Sequence, residues 1–340
     1  MIREFIFDIS KEYPLLAHGE IIACFKGEEI QFELIKSNED ALILKADISN
    51  EKICNIASRL SMSFSIGELL FTSKHSIELI KEQARTHSIE DKGSLAIRYK
   101  NRTDTVESNP FVHAVADVYT ASRFVDLSKP NQIIHLLITP NNIFVSEQII
   151  QVNRSAFEQR KAHFRPFFSP ISLHPKIARA LVNISQVNNQ DTILDPFCGT
   201  GGILLEAGLM NISVIGSDIS EKMVKGTQRN LSEYNINSSK MFICDISDIS
   251  NHLSNLVDAI VTDFPYGKST SLQGEPLEKL YQRSFHSIQL VLKPGGKAVI
   301  GSAIKHVDKH ANSGLNHIGS YPLRVHRSLT RYFHVFEKTP

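Results

Sequence analysis

The chain has 340 residues, of which 42% are hydrophobic and 21% charged, and its formal net charge is +1. At about 100–200 residues per domain, this length predicts two or three domains of ordinary globular composition. No apolar run approaches the roughly 18 residues that would cross a bilayer, and residues 1–5 carry no signal-peptide pattern. We therefore expect a cytoplasmic protein with no membrane association.

The distribution of cysteine, histidine and charge narrows the expected ligands. The cysteines Cys24, Cys54, Cys198 and Cys244 form no C-x-x-C pair, and the 14 histidines are dispersed. This spacing favours neither a zinc site nor a disulfide framework, so we expect no metal. Residues 151–340 carry a net positive charge and residues 1–150 a net negative one, which is compatible with a phosphate-rich partner for the second half.

Residues 1–150 predict an α+β region, in which short alternating segments suggest strands and three- or four-residue spacing suggests helices. The expected strands are a hairpin of Glu20–Phe25 and Ile30–Ile35, then Ala41–Ala46, Leu95–Tyr99, Ile133–Thr139 and Asn142–Ser146. The expected helices are 50–62, 75–87 and Val112–Tyr119.

A polar, basic and proline-bearing segment follows, and we interpret residues 151–170 as a domain linker. It carries Arg154, Arg160, Lys161 and Arg165. These cations suggest a basic strip beside an RNA path, and a solvated connector without a binding role is the alternative.

From residue 171 the pattern changes to alternating strands and helices. Strands are expected at 192–195, 213–217, 241–244, 259–262 and 298–301, with helices at 175–185, from about 202, at 221–234 and at 276–291. This rhythm predicts a doubly wound, mostly parallel Rossmann-like sheet. Ser320–His326 and Tyr332–Glu337 are expected to form an antiparallel pair at its edge.

The first of these strands runs into a glycine loop, Asp195-Pro196-Phe197-Cys198-Gly199-Thr200-Gly201-Gly202. No lysine follows the glycines, which argues against a nucleoside-triphosphate loop. A dinucleotide fingerprint would need a third glycine where Leu204 stands. A sulfonium amino acid fits better, because its ammonium and positive sulfur favour a carboxylate such as Asp195 nearby.

Two further acidic residues stand at the ends of the next two strands. Asp218 could accept hydrogen bonds from ribose hydroxyls, and Asp245 could accept from an adenine amine. Either residue alone is more often a helix N-cap than a ligand. Their order after successive strands instead predicts an S-adenosyl-L-methionine site. Its expected residues are Asp195, Pro196, Gly199, Gly201, Gly202, Asp218 and Asp245.

The fourth strand ends in Asp263-Phe264-Pro265-Tyr266. An exocyclic base amine is a poor nucleophile because its lone pair is delocalised into the ring. Asp263 and the Phe264 carbonyl can accept its two hydrogens, Pro265 fixes the turn, and Tyr266 can stack on the base. A strand-end turn without chemistry is the alternative, and the acidic strand ends before it favour an amino-methyltransferase site.

Residues 166–340 resemble the catalytic domain of the archaeal-type tRNA guanine-10 N2-methyltransferases. The similarity rests on Arg165–Phe168, Ser172–Asn183, the Asp195–Gly202 loop and Thr262–Gly267. Residues 51–150 resemble a THUMP domain, and residues 1–50 the small ferredoxin-like part that precedes it. The family usually reads Asp-Pro-Pro-Tyr, so Phe264 departs from its pattern.

The resemblance implies S-adenosyl-L-methionine as cofactor, tRNA as partner, no required protein partner and one or two methyl groups on N2 of guanine 10. The same chemistry on adenine N6 or guanine N2 of DNA or ribosomal RNA remains an alternative. A nicotinamide-dependent oxidoreductase and a catalytically silent RNA-binding protein are the alternatives of other classes.

Overall fold

A computed structural model describes residues 2–170, 172–237, 239–265, 275–311, 313–326 and 329–340. The chain divides into two compact units. The first comprises residues 1–18, 30–58 and 62–153, and the second comprises residues 19–29, 59–61 and 154–340. Each unit is built around one sheet.

The first unit holds a seven-stranded sheet in its described residues, with the order β2-β3-β1-β4-β7-β6-β5. Strands β5 and β6 run parallel, and the other neighbours run antiparallel. The strands are β1 (Ile2–Ile9), β2 (Phe32–Ser37), β3 (Ala41–Asp47), β4 (Ser63–Ser73), β5 (Leu95–Asn101), β6 (Gln132–Ile138) and β7 (Ile143–Gln151). The stretches that resemble a ferredoxin-like part and a THUMP domain thus contribute to a single sheet.

Two helices cover one part of this sheet. Helix α3 (Ile77–Thr86) begins where the Ser76 hydroxyl accepts a hydrogen bond from the Leu79 amide, and α4 (Asn109–Tyr119) begins with a proline in its first turn. Their buried faces form a core with β5, β6 and β7, in which Ile80, Val115 and Ile134 are fully buried. The third helix, α2 (Asn50–Arg59), buries Ile53, Ile56 and Ala57 at helical spacing. The three predicted helices are confirmed.

The predicted strand at Glu20–Phe25 is wrong, because these residues lie in helix α1 (Pro14–Gly27). A short apolar run such as Ile21–Phe25 has no periodicity of its own, so it fits a strand or a helix equally. The burial of Ala17, Ile21 and Cys24 follows helical spacing. Pro14 at the first helical position has the backbone angle that a helix start requires.

The second unit is a Rossmann-like sheet with the order β10-β9-β8-β11-β12-β14-β13 across the residues that are described. The neighbouring strands β10, β9, β8, β11 and β12 pair in parallel. Strand β14 pairs antiparallel with β12 and with β13, which confirms the predicted antiparallel pair at the edge of the sheet. The strands are β8 (Thr192–Asp195), β9 (Ser213–Asp218), β10 (Ser239–Ile243), β11 (Val257–Asp263), β12 (Leu292–Ser302), β13 (Leu315–His326) and β14 (Leu329–Lys338).

The helices before and between these strands confirm the predicted alternation. They are α6 (Pro175–Ile184), α7 (Gly202–Gly208), α8 (Glu221–Glu233), the short α9 (Ile249–His252) and α10 (Leu277–Val291). The strand order reverses at β8, which has β9 on one side and β11 on the other. In open parallel sheets, ligands bind at the carboxyl ends of the strands beside such a switch point.

Two stretches from early in the sequence complete the second unit. Glu20 is fully buried and its Oε1 accepts hydrogen bonds from the Ser61 amide at 2.9 Å, the Ser61 hydroxyl at 2.7 Å and the Asn183 side-chain amide at 2.9 Å. Each donor partly offsets the cost of burying the carboxylate. Residues 19–29 and 59–61 are therefore anchored to α6.

Candidate active site

The loop after β8 depends on glycine at two positions. Gly199 and Gly201 have φ angles of 51° and 74°, in the left-handed region that side-chain-bearing residues avoid. A Cβ on Gly201 would also lie 2.5 Å from Thr227 Cγ2. Ser172, from the segment before α6, contacts Thr200 of this loop through their hydroxyls at 3.0 Å. The predicted glycine loop therefore stands at the switch point of the sheet.

Asp195 ends β8 and is only 2% exposed. Its Oδ1 accepts hydrogen bonds from the Thr262 hydroxyl at 2.7 Å and from the Phe197 amide at 3.2 Å. Burial raises the pKa of this carboxyl to about 7, against those two hydrogen bonds, and the nearby charges of Asp263 and Asp218 add to the rise. The carboxylates that end β8, β9 and β11 thus converge closely enough to interact.

Asp218 ends β9 and supports the glycine loop. Its Oδ2 accepts a hydrogen bond from the Gly199 amide at 3.0 Å, and its Oδ1 accepts one from the Ser220 amide at 2.9 Å. Burial raises the pKa of the carboxyl, although both hydrogen bonds oppose the rise. A carboxylate has about four acceptor positions, so these two backbone contacts leave capacity for ligand hydroxyls.

Asp245 lies two residues beyond β10 and is less buried. Its Oδ1 accepts a hydrogen bond from the Ser247 amide at 2.9 Å and forms an ion pair with Arg283. Arg283 also pairs with Glu275 at 2.8 Å. Burial raises the pKa of Asp245, but the Ser247 amide and the Arg283 guanidinium outweigh it, and the net shift is downward. Asp245 therefore carries a stable negative charge at the third strand end.

Asp263 ends β11 with its two oxygens in different surroundings. Oδ2 accepts a hydrogen bond from Arg331 Nη2 at 2.8 Å. Oδ1 is buried, and it meets no hydrogen-bond donor among the described residues. Burial raises the pKa of Asp263, and the Arg331 guanidinium opposes that rise. One carboxylate oxygen is thus paired with a cation, and the other has no hydrogen-bond partner among the described residues.

Phe264 directs its side chain into the core of the second unit, where it is 1% exposed. Its ring stacks on Tyr281 with centroids 5.1 Å apart and meets Phe197 and Phe285 edge-on at 5.4 and 5.7 Å. The Tyr281 hydroxyl donates a hydrogen bond to the Pro265 carbonyl at 3.1 Å. Tyr266, the predicted stacking residue, lies outside the described residues.

The basic residues of 151–170 divide into two groups. This segment contains helix α5 (Ser155–Gln159) and a 3₁₀ turn, Ala162–Phe164. Arg160 donates through Nε and Nη2 to the two carboxylate oxygens of the buried Glu206 at 2.8 and 3.1 Å, and Arg165 is only 5% exposed. Arg154 and Lys161 are partly exposed, and Lys161 pairs with Glu158. The side chains of Arg160 and Arg165 thus face the interior of the unit.

Three residues of the site had no signal in the sequence. Arg331 lies 68 positions after Asp263, Tyr281 is part of an amphipathic helix, and Gly301 is one glycine among 17. Tyr281 and Arg331 reach the Asp263 turn through the packing of α10 and the pairing of β12 with β14, and Gly301 reaches it through the pairing of β11 with β12. A sequence motif consists of residues that are close together along the chain, and these three residues are far from Asp263 in sequence.

A Rossmann-like sheet with a glycine loop at its switch point, and with carboxylates at successive strand ends, defines a class I methyltransferase domain. A family model described as "RMKL-like, methyltransferase domain" matches residues 162–331, and one described as "DNA methylase" matches residues 3–229. The crystal structure of TrmN from Thermus thermophilus is similar in fold, with a TM-score of 0.55 and 19% identity over 98% of this chain and 99% of that one.

Two curated relatives are similar along almost their whole length. The tRNA (guanine(10)-N2)-dimethyltransferase of Methanothermobacter thermautotrophicus is 34% identical, over 97% of this chain and 98% of that protein. The enzyme of the same name from Pyrococcus abyssi is 31% identical, over 98% and 99%. The chain belongs to the tRNA (guanine(10)-N2)-dimethyltransferase family.

The described ranges hold neither a candidate membrane-spanning helix nor a candidate metal cluster. No helix there is both long enough and apolar enough to cross a membrane. Within the same ranges, no three His, Cys, Asp or Glu side chains are grouped so as to hold a metal ion.

Proposed function

We propose that this chain methylates N2 of guanine 10 in tRNA, once or twice, with S-adenosyl-L-methionine as the donor. The observation that supports the proposal is the Asp263 carboxylate, whose Oδ1 is buried, has no hydrogen-bond donor among the described residues and lies close enough to Asp195 to interact with it. The names of the two full-length relatives support the choice of tRNA and of guanine 10.

The residues at the switch point fit this cofactor. Asp195 is a buried carboxylate whose charge would be balanced by the ammonium and sulfonium groups, and Asp218 keeps acceptor capacity for ribose hydroxyls. Asp245 would share its carboxylate between the adenine amine and Arg283. Pro196, Gly199, Gly201 and Gly202 would form the wall of the loop. When bound, the cofactor supplies a methyl group on a positively charged sulfur, which leaves as a neutral thioether.

The catalytic turn would hold the guanine amine. Asp263 Oδ1 accepts one amine hydrogen and the Phe264 carbonyl accepts the other, which concentrates the lone pair on the nitrogen. Pro265 fixes the turn through its ring and its hydrogen bond from Tyr281. After the carbon–nitrogen bond forms, the surplus proton passes from the amine nitrogen to Asp263 and then to solvent. Tyr266 would stack on the base.

Recognition of the tRNA would involve both units. We assign RNA binding to the THUMP-like residues 51–150, with residues 1–50 as their ferredoxin-like extension. Within 151–170, Arg154 and Lys161 are the better candidates for phosphate contacts, because Arg160 and Arg165 face protein. We propose a cytoplasmic enzyme that acts without an obligatory protein partner.

Methylation of DNA is the second candidate, favoured by the "DNA methylase" model that matches residues 3–229. The deciding experiment incubates the purified chain and methyl-labelled cofactor with tRNA, ribosomal RNA or DNA, and maps labelled nucleosides by mass spectrometry. We expect label in N2-methylguanosine or N2,N2-dimethylguanosine at position 10 of tRNA. Label in DNA alone would show that DNA, and not tRNA, is the substrate.

A catalytic role for Asp263 is tested in the same assay. Asp263→Ala should lower kcat by about 10²- to 10⁴-fold, because it removes the acceptor for the amine hydrogen. Asp191→Ala is a suitable control, because Asp191 lies in the loop before β8 and at the opposite end of that strand from the site. Unchanged tRNA methylation by Asp263→Ala would show that this carboxylate is not catalytic.

A further inference from the structure

Arg331 reaches Asp263 across the sheet. Asp263 pairs with Gly301 on the neighbouring β12, and Gly301 pairs in turn with Phe333 on β14, two residues beyond Arg331. The Arg331 side chain is 10% exposed and places Nη2 at 2.8 Å from Asp263 Oδ2. This pair is shielded from solvent, so its electrostatic interaction is much less screened than that of a surface ion pair.

Gly301 occupies the other side of the carboxylate. A Cβ at this position would overlap Asp263 Oδ1 and lie 2.9 Å from Phe333 Cε1. The Gly301 carbonyl also accepts a hydrogen bond from the Phe264 amide at 2.9 Å. Glycine thus gives Oδ1 the room that it occupies, while its backbone holds the next residue of the catalytic turn.

We propose that Arg331 and Gly301 are positioning residues, which orient the Asp263 carboxylate so that Oδ1 alone accepts a hydrogen from the target amine. Arg331 occupies Oδ2, and the lack of a side chain at Gly301 leaves Oδ1 the room that it takes up. The inference rests on the proposed amino-methyltransferase function and adds two residues to its machinery.

Arg331 also maintains the charge that the carboxylate needs. Among the described residues, three titratable groups face Asp263 from the elements around it, namely Asp195 at the end of β8, Tyr281 on α10 and Arg331 on β14. The only cation among these three is Arg331. Burial raises the pKa of Asp263, and Arg331 opposes that rise, so Asp263 stays ionised at lower pH than it would without this partner.

The test compares Arg331→Met with Arg331→Lys. Single-turnover methyl transfer to tRNA is measured from pH 5 to 9, together with Kd for S-adenosylhomocysteine and the melting temperature. Arg331→Met should lower the rate at least about tenfold at pH 7 with little change in Kd, and should move the acid limb of the profile to higher pH. Arg331→Lys should return the limb toward its wild-type position. An unmoved limb in a folded Arg331→Met variant would overturn the role of Arg331.

Gly301→Ala tests the second residue. It should lower the rate at all pH values, with Kd for S-adenosylhomocysteine unchanged, because its Cβ displaces Oδ1. Gly319→Ala on β13 is the matched control, since nothing lies within 4 Å of a Cβ there, and its rate should equal the wild-type rate. Wild-type rates for Gly301→Ala would overturn the role of Gly301. A wild-type protein that methylates no tRNA would instead refute the proposed function itself.

Discussion

The Thr262 hydroxyl donates a 2.7 Å hydrogen bond to Asp195 Oδ1, and so joins the end of β11 to the end of β8. Thr262 immediately precedes Asp263 and is fully buried. The carboxylate assigned to the cofactor and the one assigned to the base are therefore linked through a single side chain.

Replacement of Thr262 by valine should change how cofactor binding depends on pH. The hydroxyl lowers the pKa of Asp195, so its loss should raise that pKa further. Because a ligand ammonium favours the ionised carboxylate, S-adenosylhomocysteine should bind more tightly as pH rises, and Thr262→Val should move this rise to higher pH. Calorimetry from pH 5.5 to 9 measures the effect, and Thr262→Ser, which keeps the hydroxyl, is the control. Identical pH dependence in the valine variant would contradict the link.

Asp195→Asn should stabilise the ligand-free protein at alkaline pH. The pKa of Asp195 is about 7 when folded against 3.8 for an unburied aspartate, so folding favours the protonated form. The stability that this preference contributes is fully present below pH 3.8 and is lost as pH rises through 7. Asparagine cannot ionise, so its gain in unfolding free energy at pH 8 should reach at most about 4 kcal/mol. Urea unfolding at pH 5 and pH 8 measures it, and a gain that does not grow with pH would refute the assignment.

Phe264 should be more important for folding than for base selection. Its ring is buried among Phe197, Tyr281 and Phe285, so Phe264→Ala should lower the unfolding free energy by about 3–5 kcal/mol. Phe264→Leu retains most of the apolar volume and should lower it by less. Chemical unfolding of both variants provides the measurement. A stable Phe264→Ala variant with altered target specificity would show that the ring faces the base instead.

Glu206 should be a main determinant of stability in the second unit. It is fully buried on α7 and accepts hydrogen bonds from Arg160 and Arg179, the latter at 3.0 Å. Glu206→Gln would remove the carboxylate that pairs with both guanidinium groups, at a cost of about 3–5 kcal/mol. Thermal unfolding measures the loss, with Glu221→Gln on the exposed start of α8 as the control. Equal melting temperatures for the two variants would contradict this role.

The parallel part of the fold was predictable because its signals are local. Each strand of the second unit is a short apolar run followed by its own turn, so Asp195, Asp218 and Asp263 could be placed at strand ends from neighbouring residues alone. The family resemblance then added what the residues left open, namely tRNA and guanine 10. The comparisons confirmed the family.

The remaining features depend on contacts between distant residues. Helix α1 carries an apolar run that also suits a strand, and its burial decides between the two. Arg160 and Arg165 read as surface cations in a polar segment, yet Glu206, 46 residues after Arg160, pairs with the first of them inside the unit. Arg331 lies near Asp263 because β14 pairs with β12, and the sequence alone does not show this pairing.

The buried carboxylate of Glu20 has a consequence for how this protein can be divided. It accepts a hydrogen bond from Asn183 on α6, and Arg59 donates a further one to the Val187 carbonyl at 2.5 Å. A shortened protein that starts at residue 154 would contain every strand of the Rossmann-like sheet but would lose both contacts. The methyltransferase unit is thus discontinuous in sequence. Any version of this unit that is produced on its own needs residues 19–29 and 59–61 as well as residues 154–340.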